Sequence, residues 1–272
     1  MNRAELFEQI KKKNSYLCVG LDTDLTKLPA HLLSHPDPVF EFNKQIIDAT
    51  KDFCVAYKPN TAFYEALGPA GWETLQKTLN YIPKECFTIA DAKRGDIGNT
   101  SSLYARAFFE KMNFDALTVA PYMGEDSVKP FLAFPHKWVV LLVHTSNPGS
   151  ADVQQLETRG GRFVYEEVIF ASQRWASADQ MMYVVGATKA DKISTIRSLA
   201  PDHFLLVPGI GAQGGDLEAV SKAGINMQCG LLVNASRSVL YASAGADFAQ
   251  AARSEAKRVQ TEMSEYLNKF IR

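Results

Sequence analysis

The chain has 272 residues, 46% of them hydrophobic and 22% charged, an ordinary balance for a globular protein long enough to bury a sizeable core. Its 29 basic and 30 acidic side chains leave a net charge of −1. That balance argues against nucleic acid or an acidic surface as partner, and no apolar run approaches the roughly 20 residues of a membrane span.

The first segment, "MNRAELFEQIKKKNSY" (1–16), is charged throughout and lacks the apolar core of a signal peptide. It reads as a short amphipathic helix, and the cytoplasm is the expected compartment. Eight short β-rich runs follow, at 15–22, 54–60, 86–93, 116–122, 138–146, 181–188, 203–211 and 229–237. Segments of helical spacing lie between them, among them "PVFEFNKQIIDATKDF" (38–53) and "SLYARAFFEKMNF" (102–114). A long amphipathic helix over 248–271 closes the chain. Most β runs are continuous rather than alternating, as in parallel strands covered on both faces.

Eight regularly spaced strand–helix units predict a single (β/α)8 TIM barrel spanning 1–272. An open doubly wound sheet is the alternative, and the count of eight favours the barrel. The connection "NPGSADVQQLETRGGR" (147–162) is unusually long, polar and glycine-containing. Such loops are lids or loose insertions, and a lid is the expectation here. Cys18, Cys54, Cys86 and Cys229 are far apart in sequence and lack the close pairs of a zinc site. They read as buried reduced thiols. His31 and His35 stand four apart, but in a proline-rich connection, and no metal is expected.

Barrel sites gather where strands end. The last residues of the runs are Asp22, Lys58 with Asn60, Asp91 with Lys93, Tyr122, His144 with Ser146, Thr188, the "PGIGAQGG" turn (208–215) and Arg237. Strand alternation puts Asp91 and Lys93 on one face, and Lys58, ending the neighbouring strand, can approach Asp91. Asp96 lies in a loop between Gly95 and Gly98, free to bend back into the same cleft or to reach outward. Carboxylates beside a lysine favour and position its ammonium form, a suitable general acid. A purely structural ion-pair network is the other reading of the same residues. After the seventh strand, Gly209, Gly211, Gly214 and Gly215 leave amides open before a helix starting near Asp216, and Arg237 follows the eighth strand. Open amides at a helix start together with a fork-shaped guanidinium suit a phosphate dianion.

The stretch "DAKRGDIGNT" (91–100) resembles the D-x-K-x-x-D-I motif of the orotidine 5′-phosphate decarboxylases. "VGLDTD", "KPNTAFYE", "TSNPGSAD" and "PGIGAQGG" stand in the order of the longer bacterial branch of that family. The resemblance covers about residues 5–270. It implies conversion of orotidine 5′-monophosphate to UMP and CO2 in pyrimidine biosynthesis, with no cofactor and no metal. It also implies roles. Lys93 protonates pyrimidine C6, Asp91 sits beside the departing carboxylate, and Lys58 orders the array and contacts the ribose. Asp22 takes a ribose hydroxyl and Ser146 reads the pyrimidine edge. Gly209, Gly211, Gln213 and Arg237 hold phosphate. Asp96 and Thr100 reach the neighbouring subunit's site in a homodimer. Two rivals remain: a metal-dependent sugar-phosphate decarboxylase of the same barrel group, and a nucleotide-binding barrel without catalysis. Lys58 speaks against the first, since a cation there repels a divalent metal. The intact Asp–Lys array speaks against the second.

Overall fold

The computed structural model describes residues 1–186, 190–209 and 216–271. Its strands are β1 (Leu17–Gly20), β2 (Ala56–Lys58), β3 (Phe87–Arg94), β4 (Ala116–Val119), β5 (Trp138–His144), β6 (Met181–Val185), β7 (Phe204–Pro208) and β8 (Leu231–Ala235). Each pairs in parallel with the next. β8 returns to β1 through Leu17↔Val233 and Cys18↔Asn234, so the sheet closes into a barrel. All eight expected strands are present, each shorter than its apolar run except β3, which is as long as its run and shifted one residue onward. The runs overshoot because the residues that follow a strand still line the barrel mouth or its covering helices. Closure leaves no sheet edge and satisfies the strand backbone internally.

Helices cover the outside. Asn2 and Glu5 form a capping box on the helix Arg3–Lys13, which ends at Asn14 in the left-handed conformation. The helix Pro38–Thr50 is capped by Asp37, with proline in its first turn. The closing helix, Phe248–Phe270, buries Phe248, Ala252, Ala256, Val259, Met263 and Leu267, a stripe at three- and four-residue spacing. Phe248 stacks on Phe42 of the helix Pro38–Thr50, ring centroids 4.8 Å apart. That contact staples the chain's end over β1. None of the described helices is long and apolar enough to cross a membrane.

The segment 102–114 departs from a plain α-helix. An α-helix over Gly98–Ala105 passes into a π-helical turn, Arg106–Lys111, with Met112 N–H bonding Ala107 C=O. Widening the turn lets the consecutive Phe108 and Phe109 both point inward, at 1% and 2% exposure. The 147–162 connection is held by its own backbone. Pro148–Asp152 is a 3-10 turn, Glu157 bridges Phe163, and Gln154 Oε1 accepts from Thr145 N–H at 2.8 Å.

Phe42 is 1% exposed and central to this stapled layer. Replacing it with alanine is expected to cost about 3–5 kcal/mol of unfolding free energy, read from urea denaturation. A loss below about 1 kcal/mol would mean the closing helix contributes little to the core.

Candidate active site

At the C-terminal ends of β1, β2 and β3, four charged side chains touch in series. Lys58 Nζ lies 2.7 Å from Asp91 Oδ2 and 3.7 Å from Asp22 Oδ1, and Lys93 Nζ lies 2.6 Å from Asp91 Oδ1. Lys58 is 3% exposed and Asp91 9%, while half of the Lys93 side chain stays open. β4 adds a neutral support. Thr118 Oγ1 donates to Asp91 Oδ1 at 3.1 Å and accepts from the Lys93 N–H at 2.8 Å. The Asp91 N–H is tied to Pro59 C=O at 3.0 Å, so backbone as well as side chain is fixed.

Simple alternation does not bring Asp91 and Lys93 together. Between Ala90 and Arg94, β3 advances four residues while β4 advances two, Leu117 to Val119. This bulge puts Lys93 at φ +47°, a left-handed conformation that costs a non-glycine residue about 1–2 kcal/mol. The kink turns Lys93 back over Asp91. Arg94 then rejoins the ladder, pairs with Glu65 and lies over the Tyr104 and Phe108 rings. It takes no part in the site.

Burial alone would push the Asp91 carboxyl up, but Lys58 and Lys93 outweigh it and hold the group far below the usual carboxylate range. Burial likewise opposes the Lys58 ammonium, and Asp22 and Asp91 outweigh it, raising its pKa above the ordinary lysine value. Asp91 and Lys58 are therefore both charged at neutral pH. Opposite charges in series cancel, which limits the cost of burying them.

A cavity of about 240 Å³ opens beside this array. Asp22, Lys58 and Asp91 line one arc of it; Gly209, Asn234, Ser236 and Arg237 line the other. The two arcs meet where β8 pairs with β1. Gly20 makes that meeting possible, since a Cβ there would fall 1.9 Å from Ser236 Oγ. Gly209 has φ +101°, open to glycine and rarely to other residues. Arg237 is not the end of β8 but the first residue of a short helix, Arg237–Leu240, because the strand stops at Ala235. Gly211 and Gln213, with Thr188, lie outside the described residues. Asp216 caps the helix Leu217–Gly224, as the glycine-rich turn suggested.

Lys93 is not among the residues that line the cavity, though its ammonium is bound to Asp91, which does line it. Three further expected site residues stand apart from the cavity. Asp96 is half-buried, with Oδ1 accepting from the Ile97 N–H at 2.8 Å. Thr100 is exposed on the helix Gly98–Ala105. Ser146 follows β5 and packs against Gly186, where a Cβ would come within 2.7 Å of the Ser146 nitrogen. None of the three lines the cavity.

Other lining residues escaped the sequence reading. Tyr241 OH donates to Asp22 C=O at 3.2 Å and accepts from the Asp24 N–H at 2.8 Å, so it braces the Asp22 turn. Asn234 is 6% exposed, with Nδ2 donating to Ser236 Oγ at 3.1 Å. Its Oδ1, like Asp22 Oδ1, is a buried acceptor with no hydrogen-bond donor among the described residues. The signal for Asn234 was an amide inside the apolar run "LLVNAS". Tyr241 gave none, because it arrives only through the turn of the short helix.

The profile of the orotidine 5′-phosphate decarboxylase / HUMPS family matches residues 15–253. A Bacteroides fragilis protein named orotidine 5′-phosphate decarboxylase is 58% identical over 274 residues, covering 100% of both chains. One of the same name from Flavobacterium johnsoniae is 59% identical over 271 residues, covering 98% of this chain and 99% of that one. The solved structure of Leishmania donovani OMP decarboxylase superposes with a TM-score of 0.85 at 36% identity, covering 98% of this chain and 99% of that one.

The depressed Asp91 carboxyl generates a pH test. Its folded pKa lies below the unfolded value of about 4, so its stabilisation is present above pH 4 and lost as pH falls toward the folded value. Asp91→Asn should therefore be less stable than wild type at pH 7 by several kcal/mol, because the buried Lys58 loses the nearer of its two carboxylate partners. The gap should narrow below about pH 4. Denaturant titrations at pH 7 and pH 3 check this, and a gap of equal size at both would remove the ion pair as its cause.

Proposed function

The chain belongs to the orotidine 5′-phosphate decarboxylase / HUMPS family, and we propose that it decarboxylates orotidine 5′-monophosphate to UMP, with Lys93 as the proton donor. The observation that carries this reading is the Lys58–Asp91–Lys93 chain at the mouth of the barrel. The protein is a carboxy-lyase of pyrimidine biosynthesis. The C6–carboxylate bond breaks and its electron pair stays on C6, in the ring plane and out of reach of the π-system. Stabilisation must then be electrostatic. The Lys93 ammonium faces the developing charge, delivers its proton to C6, and is reprotonated from water. Asp91 sits beside the carboxylate that leaves and holds Lys93 in place through the 2.6 Å contact.

The rest of the substrate is held without chemistry. Arg237 and the Gly209 amide, with Gly211 and Gln213, take the phosphate. Asp22 and Asn234 offer buried acceptors to ribose hydroxyls, and Lys58 contacts the ribose as it orders Asp91. Ser146 reads the pyrimidine edge from the base of segment 147–162, which acts as a lid. Binding energy from phosphate and ribose closes the site around a ring that itself offers few handles. The metal-dependent alternative fits poorly. The Lys58 ammonium already occupies the position between Asp22 and Asp91 that a divalent cation would need.

The active unit is a homodimer in the cytoplasm, where the four buried free cysteines stay reduced. Asp96 and Thr100 lie away from their own cavity, on a surface that also exposes Ile97 at 61% and Tyr122 at 88%. Such a surface suits a second copy of the chain, with Asp96 and Thr100 completing the partner's site.

EDTA-treated protein should consume orotidine 5′-monophosphate at the untreated rate, followed by ultraviolet absorbance, and Lys93→Ala should lose at least about 10³-fold in kcat while still binding UMP. Near-normal kcat in that variant would end the assignment of Lys93. The shared site has its own test. Inactive Asp96→Ala and Lys93→Ala proteins, mixed and allowed to exchange subunits, should recover activity as hybrid dimers form with one intact site. Exchange proven by mass spectrometry without recovery would put Asp96 in its own subunit's site.

A further inference from the structure

The strand β4 reads "ALTV" and is buried along its whole length. Its one polar member, Thr118, is 1% exposed. Valine would fill nearly the same space with no hydroxyl to satisfy, and a buried hydroxyl left unpaired costs about 1–3 kcal/mol. What the Thr118 hydroxyl touches therefore has to account for its presence.

Thr118 stands opposite the bulge. β3 and β4 are in register at Ala90↔Leu117 and again at Arg94↔Val119, so Asp91, Ala92 and Lys93 together face Thr118 alone. The backbone turns to φ +47° at Lys93, and the Lys93 N–H is donated to a side chain, Thr118 Oγ1, at 2.8 Å. That bond uses a lone pair of the hydroxyl oxygen and leaves its proton to point elsewhere. Two acceptors lie within reach: Asp91 Oδ1 at 3.1 Å and Ala90 C=O at 3.5 Å. The nearer is also the charged one, and charge-assisted hydrogen bonds are the stronger. The hydroxyl proton thus goes to Asp91.

Asp91 Oδ1 is the oxygen that holds the Lys93 ammonium, at 2.6 Å. One oxygen atom of Thr118 therefore grips Lys93 by its main chain and, through Asp91, by its side chain. The contacts close a ring that runs from the Lys93 N–H through Thr118 Oγ1 and Asp91 Oδ1 to Lys93 Nζ. Asp91 Oδ2 faces Lys58, so a donor on Oδ1 fixes how the carboxylate plane is turned and with it where the ammonium stands. The same donor favours the ionised carboxylate, which keeps the proton of the 2.6 Å contact on the Lys93 nitrogen.

We propose that Thr118 is a positioning residue for the proton transfer. Its hydroxyl aims the Lys93 ammonium without touching substrate, since Thr118 is not on the cavity lining. This inference rests on Lys93 as the proton donor and adds the group that directs it. The cost of losing the hydroxyl should accordingly fall on the chemical step, with nucleotide binding left as it was.

Thr118→Val removes the hydroxyl and keeps the volume. With folding checked by circular dichroism, its kcat should fall about 10²-fold, the loss that follows when a reacting group is displaced by about 1 Å. UMP binding, measured by calorimetry, should stay at the wild-type value. Thr118→Ser keeps the hydroxyl and should recover most of the lost kcat. If the valine variant does not fold, Thr118→Ala gives the same comparison with serine. Wild-type kcat in the variant without the hydroxyl, a loss that serine does not recover, or weaker UMP binding at unchanged kcat would each overturn the role of Thr118. Lys93→Ala, assayed beside these, separates the two readings. If kcat is lost in Lys93→Ala but kept in Thr118→Val, only the positioning role falls; if kcat is kept in Lys93→Ala, the donor falls and the positioning role with it.

Discussion

Asp91 is shared by two lysines, one buried beneath it and one half-open above it, and this arrangement sets what the surrounding barrel has to do. A carboxylate at 9% exposure is costly to bury and is tolerated only with its partners in place. Four strands supply them. β1 leads to Asp22, β2 carries Lys58, β3 carries Asp91 and Lys93, and β4 carries Thr118. Apolar residues of the same volume would pack as well or better. The array therefore is not explained by stability. Its physical advantage is an ammonium held in a fixed direction with little net charge around it, so that a substrate entering the site meets an environment already organised.

The two arcs of the cavity divide the work. On one side, positive and negative groups alternate and nearly cancel. On the other, Gly209, Arg237 and the short helix that Arg237 opens present donors, with Asp24 and Lys27 also on the lining. Asn234 and Asp22, at the seam of β8 and β1, offer acceptors where the arcs join.

Much of this was legible in the sequence. Continuous apolar runs at regular spacing announced eight parallel strands, since no other arrangement buries both faces of so many. The polar residues closing each run marked the mouth, because a barrel interior cannot hold them. What stayed hidden depends on backbone detail. The bulge in β3 leaves no mark in "IADAKR": alternation gave the right neighbours for Asp91 and Lys93, but by the wrong geometry. The π-helical turn was hidden for the same reason, since "RAFFEK" reads as an ordinary helix until two adjacent phenylalanines must both be buried. Tyr241 reaches Asp22 across more than two hundred residues of chain, a distance over which local pattern says nothing. Asp96, Thr100 and Ser146 were placed by family resemblance, and a single chain does not bring them to the cavity.

The bulge also separates what is stationary from what is able to move. Lys93 is held between two anchored neighbours: Asp91, tied through Pro59, Lys58 and Thr118, and Arg94, tied to Glu65 and back in register with Val119. Two residues away from it in one direction and one in the other, the chain has no slack. The backbone of Lys93 is therefore fixed from both sides. Under the proposed role of Lys93, differences in turnover among relatives that keep the array would then trace to segments other than this strand, with the chemistry at Lys93 unchanged.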